Sequence, residues 1–311
     1  MSKIGSIMRE GKLFILVCLL MALALSSCSF KKYAVNRMGD ALADGGSTYA
    51  SDDNPELIRA ATPFSLKLME SLLAESPEHR GLLLAAASGF TQYGYAFTEQ
   101  DADEVENDDL ERAMELRRYA RRLYLRARDY GLRGLETSHE GIRGELFRDP
   151  ENAVGKLEKK DVPLIYWTAA SWGAAISLSK DDPDLIADLP QMEALIYRAL
   201  DLDEAYDHGA IHVFLIALES GSPGQGPEGL EQVRLHFERA VKLSEGMMAA
   251  PLVTMAENVS VSAQDREEFT DLLNQAIAID ADARPQWRLS NLIMQRRAAW
   301  LLSRTDDLFL E

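Results

Sequence analysis

The stretch IYRALDLDEAY, residues 196–206, holds the pattern that decides the fold, because it returns twice later in the chain. The later copies are FERAVKLSEGM, residues 237–247, and LNQAIAIDADA, residues 273–283. Each copy places a large residue before an Arg/Gln-Ala-aliphatic step and continues into a polar turn. The alanines that align are Ala199, Ala240 and Ala276, spaced 41 and 36 residues apart, with a more divergent copy around Ala127.

These spacings are near the roughly 34 residues of a tetratricopeptide (TPR) repeat, in which a small residue lets neighbouring helices approach closely. Each helix pair of such a repeat buries its apolar face only by stacking on the next pair. Asn54 and Pro55 read as the N-cap and first residue of a helix, and strand patterns are nearly absent beyond them. The sequence therefore predicts an all-α fold with TPR-like helical hairpin repeats forming one compact body over residues 55–311.

The N-terminus has the pattern of a signal peptide followed by a lipid anchor. A positive segment with Lys3 and Arg9 precedes the apolar run 13–25, which is too short to span a bilayer. The run ends in LSSC, which resembles a bacterial lipobox, so we expect acylation of Cys28. An ordinary signal peptide is the alternative. The expected divisions are a signal peptide over residues 1–27 and an acylated tether over residues 28–54.

Composition limits the partners and the chemistry of the mature chain. The 50 acidic residues outnumber the 33 basic ones, and the net charge of −17 argues against nucleic acid, because phosphate contacts need a basic surface. The cysteines are Cys18, inside the expected signal peptide, and Cys28, so the mature chain has neither a disulfide nor a thiolate metal site. Ser29 after the acylated cysteine favours a periplasmic protein attached to the outer membrane.

Residues 162–178, VPLIYWTAASWGAAISL, run 17 residues without a charge. A helix of that length spans about 25 Å, short of a bilayer core, so we expect it to be buried in the body. On a helix, small residues line one stripe and bulkier residues another. Two interpretations remain open. The helix is either a packed core element or the wall of a site that holds a ligand, and the candidates for such a wall are Tyr166, Trp167, Ala170, Trp172 and Ala174.

No motif of the chain predicts an enzyme, a cofactor site or a metal site. GQGPEG at residues 224–229 has the spacing of a dinucleotide loop, but Glu228 would oppose a pyrophosphate and no βαβ pattern surrounds it. His208 and His212 are spaced to share a helix face, yet the zincin glutamate is absent and no third ligand is evident. We therefore prefer a loop and structural histidines, and an envelope hydrolase or metalloenzyme has little support.

Two charged segments and one isolated arginine need oppositely charged partners. Residues 99–111, EQDADEVENDDLE, lack the pattern of a calcium-binding EF-hand and are predicted to be a solvated loop. Residues 112–133 hold eight arginines, some four apart, and such like charges need anions from that acidic run or from a partner. Arg296 lies in an apolar stripe with Leu292 and Trp300. An internal salt bridge is the preferred interpretation, and recognition of a ligand carboxylate is the alternative.

Four segments together resemble the T component of tripartite ATP-independent periplasmic (TRAP) transporters. They begin at residues 51, 123, 161 and 291 and read SDDNPELIRAATPFSLKLMESLLAESPEH, LYLRARDYGLRGLE, DVPLIYWTAASWGAAISLSKD and NLIMQRRAAWLLSRTDDLF. The resemblance extends from Ser51 to Phe309 and includes the lipobox.

The resemblance implies an all-helical, non-enzymatic lipoprotein that forms homotrimers and pairs with a periplasmic solute-binding protein, the P component. It also implies a pore or hydrophobic channel through each subunit, which suggests that the protein handles a hydrophobic or amphipathic organic acid. No cofactor is implied. The alternative function is a TPR scaffold that organises envelope proteins without a small-molecule ligand.

Overall fold

The computed structural model describes residues 35–43, 46–221 and 227–310, and over these residues its secondary structure is helical with no β-strand. The all-α prediction is confirmed. Within these ranges, no helix combines the length and the apolar character needed to cross a bilayer.

The helices fall into two groups along the chain. The first group is α1 (residues 35–43), α2 (Gly46–Ala50), α3 (Pro55–Glu75), α4 (Arg80–Gly94), α5 (Gln100–Val105), α6 (Leu110–Glu136), α7 (Ile142–Arg148) and α8 (Pro150–Val154). The second is α9 (Val162–Ser177), α10 (Pro183–Ile186), α11 (Leu189–Asp203), α12 (Ala210–Ser220), α13 (Pro227–Leu243), α14 (Ala249–Met255), α15 (Arg266–Ala278), α16 (Arg288–Ser303) and α17 (Thr305–Leu308).

Shorter helical elements connect some of these helices. Single 3₁₀ turns over Lys159–Asp161, Tyr206–Gly209 and Pro285–Trp287 lead into α9, α12 and α16. Two π-helices of the described region, Tyr95–Glu99 and Ala256–Ser260, directly continue α4 and α14.

The helix starts follow capping signals in the sequence. The side chain of Asn54 accepts a hydrogen bond from the backbone N–H of Leu57 at 3.0 Å, and Pro55 is the first residue of α3, as predicted. Asp109 and Asp265 cap α6 and α15 in the same way. Each cap satisfies a backbone donor that the first helical turn leaves free.

Consecutive helix pairs pack side by side, namely α4 with α6, α9 with α11, α12 with α13, and α14 with α15. The alanines at the predicted close-approach step, Ala127, Ala199, Ala240 and Ala276, are all fully buried. Next to one of them, Gly209 has a φ of 97°, and a Cβ there would lie 3.1 Å from the Cα of Ala240. These small residues permit the helix contacts that the repeat pattern predicts.

Helix α9 lies in the centre of the body, in contact with α4, α6, α11 and α12. Ile165 and Trp172 are fully buried. Its contact with α6 is close, because a Cβ at Gly131 would lie 2.1 Å from the Thr168 Oγ1. The uncharged stretch is therefore a core helix, as expected from its apolar character on all sides.

The last long helix returns to the first part of the chain. Helix α16 contacts α2 and α3, and the Arg288 Nη1 donates to the carbonyl oxygen of Ser51 at 2.8 Å. Helix α1 also lies on the body, where the Ser76 Oγ donates to the Asn36 Oδ1 at 2.7 Å. The stack of helix pairs is thus closed by contacts between its two ends.

Candidate functional site

The two π-helices lie where α16 closes the body. Tyr95 of the first π-helix directs its hydroxyl at the Met294 sulfur of α16, with 3.8 Å between Oη and Sδ. Glu257 of the second π-helix accepts a hydrogen bond from Arg297, one turn further along α16. A π-helical turn inserts one extra residue and is frequent at functional sites. We therefore treat this junction as the candidate site.

Arg297 is the buried charge at the junction, with 6% of its surface exposed. Its Nη2 donates to the Asp103 Oδ2 at 2.8 Å and also to Glu257, and its guanidinium lies 4.4 Å from the centroid of the Trp300 ring. Burial opposes the charged form, but these carboxylates raise the pKa of Arg297 above its ordinary value. The Nε and Nη1 atoms make no hydrogen bond within the described chain.

Glu99 is an acid whose charged form is disfavoured. Its carboxylate accepts a hydrogen bond from the hydroxyl of Tyr124, which is fully buried on α6. Burial raises the pKa of Glu99 to about 7, and the negative charge of Asp103 contributes to the rise. A carboxyl group in this state exchanges a proton near neutral pH.

Tyr95 directs its hydroxyl into the junction while part of the residue stays at the surface. The residue is 37% exposed, and burial of the phenol raises its pKa well above the ordinary value. The amide of Gln100, which is 1% exposed, offsets part of that rise, although neither its oxygen nor its nitrogen completes a hydrogen bond within the described chain.

Arg296 lies beside this junction in an ion-pair network. It donates to the Asp101 Oδ1 at 3.0 Å and to the Glu104 Oε1 at 2.8 Å, and its side chain is 33% exposed. Asp101 is also held by the Arg59 Nη2 at 2.9 Å. Burial works against ionisation of Asp101, but the hydrogen bonds from Arg59 and Arg296 keep its pKa below the ordinary value. Arg296 therefore makes the internal salt bridges that were preferred over recognition of a ligand carboxylate.

The predicted apolar stripe of α16 is not the most buried face of the helix. Leu292 and Trp300, placed in that stripe with Arg296, are half-buried. The buried face is Asn291, Met294, Arg297, Ala298 and Leu301. The error arose because two arginines are adjacent, and the buried one carries its own counterions from α5 and the second π-helix.

The acidic run, residues 99–111, was predicted to be a solvated loop, but part of it is a helix. Residues 100–105 form α5, and their carboxylates bind arginines of α3, α6 and α16. The Arg117 Nη2 of α6 donates to the Asp103 Oδ1 at 2.8 Å, so the acidic run does supply an anion for the arginine-rich helix. It cannot serve all of that helix, and Arg121 pairs with Asp182 instead.

The channel candidates on α9 do not share one environment. Trp172 is fully buried, its Nε1 donates to the Asp188 Oδ2 at 3.2 Å, and Arg128 lies 5.1 Å from the ring centroid. Ala170 is buried and Ala174 half-buried. The space beside the small stripe is filled, because a Cβ at Gly173 would lie 2.8 Å from the Cζ of Phe214.

Tyr166 and Trp167 form a separate aromatic group. Their ring centroids are 5.0 Å apart, and Tyr206 lies 5.3 Å from Tyr166. Both residues of α9 are half-buried. Burial raises the pKa of Tyr166, and the charge of Asp207 adds to the rise.

The two spaced histidines do not face one metal. His208 packs on Trp287 with 4.7 Å between ring centroids, whereas the His212 Nδ1 lies 2.8 Å from the His236 Nδ1. Across the described ranges, no group of three His, Cys, Asp or Glu residues is arranged to hold a metal. The motif at residues 224–229 lies partly outside the described residues, and α13 begins within it at Pro227.

The histidine pair lies in a surface cavity of about 620 Å³ between α11 and α13. Burial and the neighbouring His236 lower the pKa of His212. The cavity also contains Glu204, Arg239 and three leucines. None of the residues that line this cavity belongs to the junction of the π-helices.

Comparison with known families decides the assignment of this fold. The family model of the TRAP transporter T component matches residues 51–309. The chain belongs to this family. The match spans every element from α3 to α17, including both π-helices and the closing helix α16.

A relative of this T component is present in Treponema pallidum (strain Nichols), where it is described as an uncharacterized protein. It is 28% identical over 312 residues, covering 94% of this chain and 95% of the relative. The family places this T component in the accessory machinery of TRAP transport.

Proposed function

We propose that this T component is a lipid-anchored periplasmic protein that binds the solute-binding P component and passes a hydrophobic or amphipathic organic acid through its helical body. The family match over residues 51–309 is the observation that carries the proposal. The proposal includes a signal peptide over residues 1–27, acylation of Cys28 and a homotrimer. Residues 1–34 lie outside the described structure.

Tyr95 and Tyr166 are candidate contacts for a solute. Each residue is partly exposed, and burial of its phenol raises the pKa of that group. Such positions suit an amphipathic molecule, because tyrosine offers an apolar ring and a polar hydroxyl. The packed environment of Trp172 fits a structural role. Tyr166 and the π-helical junction are therefore the candidates for contact with the solute.

An exposed face of α3 supports binding to another protein. Leu57 is 56% exposed and Phe64 is 73% exposed, and their spacing of seven residues places them on the same side of the helix. Exposed apolar residues grouped in this way commonly mark a protein contact. The same face also favours the alternative function, a TPR scaffold without a small-molecule ligand.

Thiol labelling tests whether a small molecule can reach the position of Tyr95. The two cysteines are Cys18 and Cys28, so a chain without the signal peptide and with Cys28→Ser has no native thiol. We expect Tyr95→Cys to react with a small methanethiosulfonate reagent more slowly than Phe64→Cys on α3 and faster than Ala86→Cys in the core. Reaction of Tyr95→Cys at the rate of Ala86→Cys would leave the scaffold as the better function.

Membrane fractionation tests the anchor. Wild-type protein should partition with membranes, whereas Cys28→Ser should appear in the soluble fraction. Equal membrane partitioning of both proteins would exclude Cys28 as the anchor.

A further inference from the structure

The arginine-rich part of α6 leaves two of its arginines without counterions. Residues 117–126, RRYARRLYLR, hold five arginines and no acidic residue. Some of these arginines pair with carboxylates outside the helix, namely Arg117 with Asp103 and Arg121 with Asp182. Arg118 and Arg122 are exposed, and no carboxylate oxygen of the described chain lies within 4.0 Å of either guanidinium. Because like charges four residues apart repel, this surface favours an anion from outside the chain.

The positive surface continues from α6 onto α3 through one shared carboxylate. The Glu70 Oε1 lies 2.5 Å from the Arg126 Nε, and the Glu70 Oε2 lies 2.5 Å from the Lys67 Nζ. Both cations are exposed, whereas the side chain of Glu70 is only 9% exposed. One covered negative charge therefore serves two cations at the surface. Arg126 follows Arg122 by four residues on the same side of α6, and we call Lys67, Arg118, Arg122 and Arg126 the basic face.

Side chains typical of protein interfaces border the basic face. Tyr119 and Met114 are both exposed on α6, and the Arg122 guanidinium lies 5.5 Å from the centroid of the Tyr119 ring. Tyrosine, methionine and arginine are enriched in protein interfaces, whereas aspartate and glutamate are depleted. On α3, the exposed Phe64 lies three residues before Lys67, which places the two on one side of that helix. The basic face is therefore continuous with the exposed apolar face of α3.

The charge of the rest of the chain indicates which kind of anion fits this face. The net charge is −17, so an anionic membrane surface would repel the protein as a whole. The exposed Glu111 and Glu115 in the first turns of α6 would add to that repulsion. A protein partner can instead place carboxylates only where the arginines lie. Arginine suits such a contact, because its planar guanidinium can bind one carboxylate through two hydrogen bonds.

We propose that the basic face docks an acidic patch of the solute-binding P component. Carboxylates of the partner pair with Arg118 and Arg122, and apolar side chains of the partner cover Phe64 and Tyr119. This inference rests on the proposed function, and it adds the chemistry of the partner surface, which is an apolar contact bordered by carboxylates. Charge pairing of this kind acts mainly on the rate of association, so the rate must fall as the salt concentration rises.

Surface plasmon resonance tests the basic face, with the purified solute-binding protein immobilised and the soluble Cys28→Ser chain in solution at several salt concentrations. Combining Arg118→Glu with Arg122→Glu should slow association by roughly tenfold or more at low salt and weaken its dependence on salt. The matched control combines Arg148→Glu on α7 with Lys242→Glu on α13. These residues are also exposed, with no carboxylate oxygen of the described chain within 4.0 Å, and the control changes the net charge by the same amount. It should associate nearly as fast as the unsubstituted chain.

The possible outcomes separate this inference from the proposed function. Equal association by the basic-face variant and the unsubstituted chain, or an equal loss in the control, would overturn the docking surface and leave the proposed function standing. No binding by the unsubstituted chain would contradict both. Vesicles of phosphatidylglycerol and phosphatidylethanolamine provide a second probe. Loss of vesicle binding in the variant, with unchanged binding of the solute-binding protein, would reassign the basic face to anionic lipid. A change in sedimentation of the variant alone, again with unchanged binding, would reassign it to a second copy of the chain.

Discussion

Arg297 and Asp103 are 194 residues apart in the chain, and the Arg297 Nη2 donates to the Asp103 Oδ2 at 2.8 Å. This contact joins α16 to α5. Arg297 also holds Glu257, so one buried guanidinium connects the first repeats, the last repeats and the closing helix. The closed body therefore depends on a charge in its interior.

Arg297→Met should destabilise the protein by about 3–5 kcal/mol, because it leaves Glu257 without this cationic partner at a buried junction and leaves Asp103 with Arg117 alone. Arg296→Met should cost about 1 kcal/mol or less, since Arg296 is 33% exposed and water screens its partners. Urea unfolding of both variants measures the difference. Equal losses would contradict the assignment of Arg297 as the buried member.

Gly131→Ala should destabilise the contact between α6 and α9 by about 1–3 kcal/mol, because its Cβ would meet the Thr168 Oγ1 at 2.1 Å. Gly144→Ala is the matched control, since a Cβ there meets nothing within 4 Å. In a helix that control should be neutral or stabilising by up to about 1 kcal/mol. Thermal unfolding of the two variants should therefore move in opposite directions or differ strongly in size.

Glu99 should make the protein less stable as the pH rises. Burial raises its pKa in the folded state to about 7, so the unfolded chain releases this proton first. The penalty appears above the unfolded pKa of about 4.3 and is complete above pH 7, reaching on the order of 3 kcal/mol at most.

Glu99→Gln removes this titration. Its unfolding free energy should match that of the wild type near pH 4 and exceed it at pH 8. A difference between the two proteins that stays constant from pH 4 to pH 8 would show that Glu99 is not desolvated.

His212 should have the opposite pH dependence. Burial and the nearby His236 lower its pKa in the folded state, so the unfolded chain takes up a proton first as the pH falls. Stability that is present above about pH 6.5 should be lost progressively below it. NMR titration should show His212 protonating below the ordinary histidine value of about 6.5. Titration of His212 at or above that value would contradict the buried pair.

The repeat architecture was predictable from particular small residues. Ala199, Ala240 and Ala276 recur in matching sequence contexts, and all are fully buried at helix contacts. Their signal is local, because an alanine within an amphipathic segment already indicates a close helix approach. The start of α3 was predictable for the same reason, since Asn54 and Pro55 act within one turn.

The junction of the π-helices was not predictable in this way. Its side chains come from segments near residues 95–103, 257 and 297, and their contacts depend on how α16 closes the body. The sequence contains no period that distinguishes Arg296 from the adjacent Arg297. The extra residue of a π-helix also shifts which side chains face inward, so a uniform helical pattern misplaces Tyr95 and Glu99.

The most direct test of the account is an affinity pull-down of the acylated protein from its native envelope, with mass spectrometry of the recovered partners. We predict recovery of a periplasmic solute-binding protein together with TRAP membrane subunits, and a lower yield from a variant with Leu57→Ser and Phe64→Ser on the exposed face of α3. Recovery of other envelope proteins, with no solute-binding protein among them, would contradict the transport account and favour the scaffold.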